Sequence, residues 1–123
     1  MKHFINIKDI PSKDLRKILE NAKKRKKSRK NLSTLDIDKD KPLHGKLLIQ
    51  MFEKPSSRTR LSFYLAIKQL GGGTLTLKSK EIHLGKGGES LADTAKILST
   101  YGDGFMLRTD SNNKIQEFSK YSN

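Results

Sequence analysis

The chain is short and strongly basic, with 123 residues, 26 Lys or Arg against 13 Asp or Glu, and a net charge of +13. This length corresponds to one ordinary domain of about 100–150 residues. The sequence has no cysteine, which excludes disulfides, thiolate metal sites and cysteine nucleophiles. It has no apolar run of the ~18–20 residues that a membrane span needs, and its start lacks the apolar core of a signal peptide. We therefore expect a cytoplasmic protein with no membrane partner.

Much of the positive charge lies in one segment. Between Lys13 and Lys30 there are ten Lys or Arg and two acidic residues, a local net charge of +8. Such a block can bind nucleic acid by releasing counterions, or it can be the solvated end of a helix. No aromatic residue is interleaved with it to stack on bases. We therefore expect no nucleic-acid partner and keep a non-catalytic, nucleic-acid-binding role for Lys23–Lys30 as an alternative.

The first predicted helix follows Pro11, with Ser12 placed to cap it. Its buried stripe has helical spacing and consists of Leu15, Ile18, Leu19 and Ala22. The basic run extends this helix into solvent, and residues 31–44 form a polar connection. Lys46–Phe52 is a continuous apolar run, which is typical of a strand buried on both faces.

A second helix is predicted over Arg58–Leu70, after a turn at residues 53–57. Its apolar stripe consists of Phe63, Ala66, Ile67 and Leu70. Gly71–Gly73 ends it, because glycine accepts the left-handed conformation that a helix C-terminus favours. Thr74–Leu77 is the next strand, and residues 78–88 lack apolar periodicity and predict a loop.

The last third of the chain again alternates a helix with a strand. Ser90 and Asp93 resemble a capping box before a helix whose buried residues are Leu91, Ala95, Leu98 and Tyr101. Gly104–Arg108 predicts a buried strand, and a short helix carrying Ile115 and Phe118 closes the chain. Alternating helices and strands indicate an α/β fold with three layers, a parallel sheet flanked by helices.

Ligands of parallel sheets bind beyond the carboxyl ends of the strands. After the first strand comes Pro55–Arg60, PSSRTR, at a helix start, where Ser56, Ser57 and Thr59 supply hydroxyls and Arg58 supplies a guanidinium. Free backbone N–H groups and the helix dipole favour an anion there, so the pattern indicates a phosphate cradle; plain N-capping by serine is the equal alternative. Arg108 and Thr109 follow the third strand at the same edge. Converging arginines suit a ligand with two acidic groups or a developing oxyanion.

The glycine-rich segments do not match nucleotide motifs. Residues 83–90, HLGKGGES, lack the spacing of a P-loop, and Gly71–Gly73 precedes a strand instead of following one. The three histidines, His3, His44 and His83, have no metal-ligand spacing. We expect neither a metal nor a cofactor.

The carbamoyl-phosphate signature of the transcarbamoylases, F-x-x-x-S-T-R-T-R, closely resembles residues 52–63, FEKPSSRTRLSF. Leu70–Gly72, residues 85–95 and Met106–Thr109 follow in the family's order and spacing, so the resemblance covers essentially the whole chain. Lys54, the Arg108-Thr109 pair and the opening residues 2–4 are similar to the ornithine branch of the family. An aspartate-type acceptor is the enzymatic alternative.

The resemblance implies transfer of a carbamoyl group from carbamoyl phosphate to the δ-amine of ornithine, giving citrulline and phosphate in arginine biosynthesis. It implies that the phosphate is held by Ser56, Ser57, Arg58 and Thr59, with Thr59 also near the carbamoyl oxygen. It further implies that Arg108 reaches both phosphate and carbamoyl oxygen, so Arg58 and Arg108 are the expected catalytic residues. The chemistry would be electrostatic, without metal or covalent enzyme adduct.

Three departures from the family pattern qualify what the resemblance implies. Ser57 replaces the usual threonine and keeps its hydroxyl. In the family, a loop before the third helix crosses to a neighbouring subunit of a homotrimer. His83 stands at the corresponding polar position; the alternatives are that Lys86 fills this position or that His83 is an ordinary loop histidine without this role. The family's His-x-x-Gln segment and amino-acid-binding second domain do not occur in residues 1–123. We therefore expect an incomplete carbamoyl-phosphate-binding domain that makes no citrulline unaided.

Overall fold

The computed structural model describes residues 3–78 and 91–122. The chain divides into two compact units, Met1–Asp36 and Ile37–Asn123. Among the described residues, no helix is both long enough and apolar enough to span a membrane.

The first unit consists of a 3-10 turn, Ile7–Asp9, and the helix α1, Ser12–Ser28. Asp14 lies in the first turn of α1 and basic residues lie in the last turn, an arrangement that complements the helix dipole. The predicted cap is wrong, because Pro11 occupies the N-cap position and Ser12 is already helical. Proline fits there because it has no N–H to leave unpaired and its φ is already near the helical value.

The predicted burial of the apolar stripe of α1 is also wrong, since the helix has no buried residue. Ile18 is 44% exposed and Leu19 is 65% exposed. Within the described part of this unit, the only other regular element is the three-residue turn Ile7–Asp9, which is too short to cover a helix face of 17 residues. Helical periodicity therefore predicted the helix correctly but did not predict that most of its apolar face is exposed.

The second unit is built on three parallel strands, β1 (Leu47–Phe52), β2 (Gly73–Lys78) and β3 (Gly104–Arg108). Their order in the sheet is β2-β1-β3. The register pairs Phe52 with Lys78 on one side and with Arg108 on the other. The carboxyl ends of all three strands therefore lie at one edge of the sheet.

Three helices flank this sheet: α2 (Ser57–Gln69), α3 (Leu91–Leu98) and α4 (Asn112–Tyr121). Ile49 and Met51 form a core with Leu91, Ala95 and Phe118, so α3 and α4 cover one face. Side chains alternate between faces along a strand, and Gln50, on the other face, donates from Nε2 to the carbonyl of Arg60 in α2 (3.4 Å). The predicted α/β fold with a parallel sheet between helical layers is confirmed.

Two predicted helix stripes are wrong in part. Phe63 is 40% exposed and Ala66 is exposed, whereas Ile67 and Leu70 are half-buried as expected. Tyr101 is 69% exposed because it lies three residues beyond the end of α3, where the helical spacing no longer applies. The capping box of Ser90 lies outside the described residues.

The glycines after α2 end the helix as predicted. Gly71 has φ +93°, in the left-handed region that other residues rarely adopt. A Cβ on Gly72 would come within 3.0 Å of the Ile67 side chain and 3.1 Å of the Leu43 carbonyl. This close approach lets the chain turn directly from α2 into β2.

Gln50 offers a stability test, because its side chain is fully buried and its Oε1 has no hydrogen-bond partner among the described residues. An unsatisfied buried polar group costs about 1–3 kcal/mol. Gln50→Met keeps a flexible side chain of similar length, and we expect it to raise the free energy of unfolding by about 1 kcal/mol in urea titrations. The control is Gln116→Met, at an exposed position of α4, which should change it by less than about 0.5 kcal/mol. A less stable Gln50→Met chain would contradict the prediction.

Candidate functional site

The start of α2 presents a set of hydrogen-bond donors next to the end of β1. Ser56 is the extended N-cap residue, and the first bond within the helix runs from the N–H of Arg60 to the carbonyl of Ser56 (3.1 Å). The N–H groups of residues 57–59 precede that bond and are therefore free of helical partners. Backbone donors and the positive end of the helix dipole face the same point, which favours an anion.

The hydroxyls of this turn are drawn together. Ser56 Oγ accepts no backbone N–H as a cap and instead donates to Thr59 Oγ1 (3.0 Å). The plain capping interpretation of Ser56 is therefore wrong. The two hydroxyls therefore lie side by side at the start of α2, and the O–H of Thr59, which accepts in this bond, adds a side-chain donor to the backbone N–H groups.

A cavity of about 390 Å³ opens beside this turn. It reaches from the turn after β1 to the end of β2, and its lining residues are Phe52, Glu53, Pro55, Ser56, Ser57, Arg60, Thr76 and Lys78. Two of the predicted site residues, Ser56 and Ser57, line it. The remaining lining residues include two cations, Arg60 and Lys78, that the site prediction did not contain.

The two predicted catalytic arginines are placed at the same edge but outside that lining. Arg58 is exposed in the first turn of α2, and Arg108 is exposed at the end of β3. Arg108 pairs in register with Phe52, so its side chain leaves the sheet on the face where Phe52 lines the cavity. Within residues 3–78 and 91–122, neither guanidinium forms an ion pair.

A carboxylate that the predicted site does not include, that of Glu53, lies at the centre of this edge. Glu53 Oε2 accepts a hydrogen bond from Lys114 Nζ (2.8 Å), and Glu53 Oε1 accepts one from the Thr109 hydroxyl. The Glu53 side chain is only 18% exposed and that of Lys114 29%. The pair therefore connects the turn after β1 to the first turn of α4.

The surroundings of Glu53 set its protonation. Burial alone would raise the pKa of this carboxyl, but the hydrogen bonds from Lys114 and Thr109, together with the charge of Lys114, outweigh that effect. The pKa of Glu53 is lowered from its ordinary value of 4.5. At neutral pH the group is therefore an anion matched by a cation.

Other predicted features belong to the first unit or lie outside the described residues. His83 and Lys86 fall in the segment that the structure does not describe. Among the residues that it does describe, no group of three His, Cys, Asp or Glu could hold a metal ion. The lysines of the basic run line an open groove on α1, and they are Lys23, Lys24, Lys26, Lys27 and Lys30.

Comparisons with known proteins agree on one family. Residues 2–123 match the aspartate/ornithine carbamoyltransferase family in its carbamoyl-P binding domain. An ornithine carbamoyltransferase of Brucella ovis is 43% identical over 122 residues, which are 99% of this chain and 37% of that protein.

Solved structures agree with this family match. The ornithine carbamoyltransferase of Pyrococcus furiosus superposes with a TM-score of 0.88 at 34% identity, covering 98% of this chain and 37% of that one. The catalytic subunit of M. jannaschii aspartate transcarbamoylase gives 0.82 at 38% identity, covering 99% and 38%. The chain thus spans little more than a third of the length of the relatives it matches.

The lowered pKa of Glu53 predicts a pH dependence of stability. A carboxylate with a depressed folded-state pKa contributes stability that is present above 4.5, the ordinary value, and is lost as the pH falls through the folded-state value. We therefore expect the wild-type chain to exceed Glu53→Gln in free energy of unfolding at pH 7, and the excess to shrink on acidification below about pH 4.5. Urea titrations at several pH values measure this excess, with the exposed Glu117→Gln as control. An excess that does not change with pH would contradict the assignment.

Proposed function

Because the chain belongs to the aspartate/ornithine carbamoyltransferase family, we propose that the turn between β1 and α2 binds carbamoyl phosphate as the carbamoyl donor of that family's reaction. The observation that carries the proposal is the set of donors at residues 56–59, whose hydroxyls are drawn together at a helix N-terminus. The family match supports carbamoyl phosphate as the ligand, and the geometry of the turn supports this place for its phosphate group.

The phosphate group is proposed to sit in the first turn of α2. The N–H groups of Ser57, Arg58 and Thr59 donate to its oxygens, supported by the hydroxyls of Ser56, Ser57 and Thr59. The Arg58 guanidinium adds charge-assisted bonds, which are shorter and about twice as strong as neutral ones. Arg60 and Lys78, in the wall of the adjoining cavity, raise the positive potential that attracts the dianion.

The proposed reaction is carbamoyl transfer to an amine. The amine nitrogen forms a bond to the carbamoyl carbon, the bond from that carbon to the phosphate oxygen breaks, and the amine loses one proton as phosphate departs. Negative charge develops on the carbamoyl oxygen and on the leaving phosphate. Arg108 is proposed to stabilise both charges and Arg58 the second, since fixed cations aimed at developing charge are an effective source of catalysis.

The acceptor and the assembly are further parts of the proposal. The relatives named ornithine carbamoyltransferase support ornithine as the acceptor, and an aspartate transcarbamoylase of comparable identity keeps aspartate as the alternative. By the resemblance of the sequence to the family, we also propose a homotrimer in which His83 reaches a neighbouring site, and a cytoplasmic location. Each of these is a property of a full-length enzyme. In the relatives, nearly two-thirds of the length lies outside the matched region.

Calorimetric titration with carbamoyl phosphate tests the binding site. We expect the wild-type chain to bind carbamoyl phosphate more tightly than inorganic phosphate, and Arg58→Ala to weaken carbamoyl phosphate binding by about tenfold or more, since a hydrogen bond to a charged group contributes about 1.5–3 kcal/mol. Arg16→Ala is the matched control, because Arg16 is an exposed arginine in the other unit.

Two results would contradict the proposed function. One is equal affinity for carbamoyl phosphate, phosphate and sulfate, which would mean non-selective attraction to a basic chain. The other is an equal loss of affinity in Arg58→Ala and Arg16→Ala, which would mean that total charge, and not the first turn of α2, determines binding.

A further inference from the structure

Three hydrogen bonds join the turn after β1 to the segment after β3, and Glu53 takes part in all of them. Its backbone N–H donates to the carbonyl of Arg108 (2.9 Å). Its carboxylate accepts from the hydroxyl of Thr109 and from the ammonium of Lys114 (2.8 Å). Glu53 is therefore bonded to the last residue of β3, to the residue after it and to the first turn of α4.

Further hydrogen bonds within the segment after β3 connect the partners of the Glu53 carboxylate to each other. The Thr109 hydroxyl that donates to Glu53 also accepts from the N–H of Ser111 (3.2 Å), and Ser111 caps α4 by accepting from the N–H of Lys114 (3.4 Å). The loop from Arg108 to Lys114 is thus held by Glu53 at both ends, through the backbone N–H at Arg108 and through the carboxylate at Thr109 and Lys114. Movement of this loop requires these bonds to break.

We propose that Glu53 is a positioning residue that holds Arg108, at the end of β3, at a fixed place relative to the anion-binding first turn of α2. Glu53 lies three residues before Ser56 along the chain, so the group that fixes the end of β3 is continuous with the turn that holds the phosphate. This inference rests on the proposed function and adds to it a residue that does not touch the ligand. We call the set of bonds from Glu53 to Arg108, Thr109 and Lys114 the Glu53 brace.

Charge alone gives no reason for a carboxylate at this place. Glu53 lines the cavity that adjoins the proposed anion site, and a negative charge there repels a phosphate. Lys114 offsets that charge, but a neutral residue would avoid the repulsion altogether. The position of the carboxylate is explained if the geometry it imposes on the end of β3 matters more for binding than the repulsion it adds.

This contrast gives a test in which positioning and electrostatics predict opposite changes in the affinity for carbamoyl phosphate. Glu53→Gln removes one negative charge near the site, so electrostatics alone predicts tighter binding of carbamoyl phosphate. The brace predicts weaker binding, by about tenfold, because Lys114 loses its carboxylate and the loop is released. Asp110→Asn is the matched control: Asp110 is in the same loop, but within residues 3–78 and 91–122 its ion-pair partner is exposed Lys54, at 3.9 Å. It should bind as tightly as the wild type or slightly more tightly.

A second pair of variants changes the brace without changing charge. Thr109→Val removes the hydroxyl that donates to Glu53 and accepts from Ser111, and it should weaken binding by about tenfold. Thr109→Ser keeps that hydroxyl and should restore affinity to within about threefold of the wild type. Tighter binding in Glu53→Gln, or wild-type affinity in Thr109→Val, would overturn the proposal.

Amide hydrogen exchange separates the brace from the proposed function. If the wild-type chain binds no carbamoyl phosphate, the proposed function fails, but the brace still predicts faster exchange of the Glu53 and Ser111 amides in Thr109→Val than in Thr109→Ser. Equal exchange rates at those two amides in all variants would overturn the brace, whatever the calorimetry gives. Faster exchange across the whole sheet would also overturn it, since it would mean a general loss of stability.

Discussion

The parallel pairing of β1 with a strand on each side is the constraint on which the candidate site depends. The register places Phe52 between Lys78 and Arg108, so three segments that are far apart in sequence leave the sheet at one edge. The first turn of α2, the end of β2 and the loop after β3 are neighbours for that reason alone. A shift of β1 by one residue would move every one of its side chains to the opposite face, and would separate the Glu53 carboxylate from Thr109 and Lys114.

Side-chain packing on the faces of the sheet stabilises this register. Ile49 and Met51 are fully buried in the core with α3 and α4, so a shifted strand would expose two large apolar side chains. Gln50 is fully buried on the other face, with Oε1 unpaired among the described residues. A polar group in that position weakens the α2 face, whereas the strand residues on the core side, Ile49 and Met51, are apolar and pack against the apolar cluster of α3 and α4. The register is therefore held mainly from the side of α3 and α4.

Local features of the sequence were sufficient to predict the elements and the turn at which the candidate site lies. The apolar run ending at Phe52, the three glycines from Gly71 and the hydroxyl-rich turn before Thr59 each act within a few residues, and each was found where it was predicted. The alternation of helices and strands then required a parallel sheet, and a parallel sheet required one shared edge. The position of Arg108 near the turn follows from that reasoning without any knowledge of contacts.

The features that the sequence did not predict depend on contacts between distant residues. Glu53 and Lys114 are 61 residues apart, and nothing in the local pattern of either residue indicates a partner. Arg60 and Lys78 line the cavity because of how α2 and β2 pack, which their spacing does not encode. The exposed stripe of α1 has the same origin: periodicity identifies an apolar face, but only the packed structure shows whether another element covers it.

We expect the anion site to lie where the register brings these segments together. Amide chemical shifts of the labelled chain, recorded while carbamoyl phosphate is added, provide the test. Binding at this edge of the sheet predicts saturable changes at Ser56–Thr59 and at Arg108, with small changes along Lys23–Lys30. Changes confined to Lys23–Lys30, which follow total anion concentration and do not saturate, would contradict it and would identify the basic helix as the anion-binding surface.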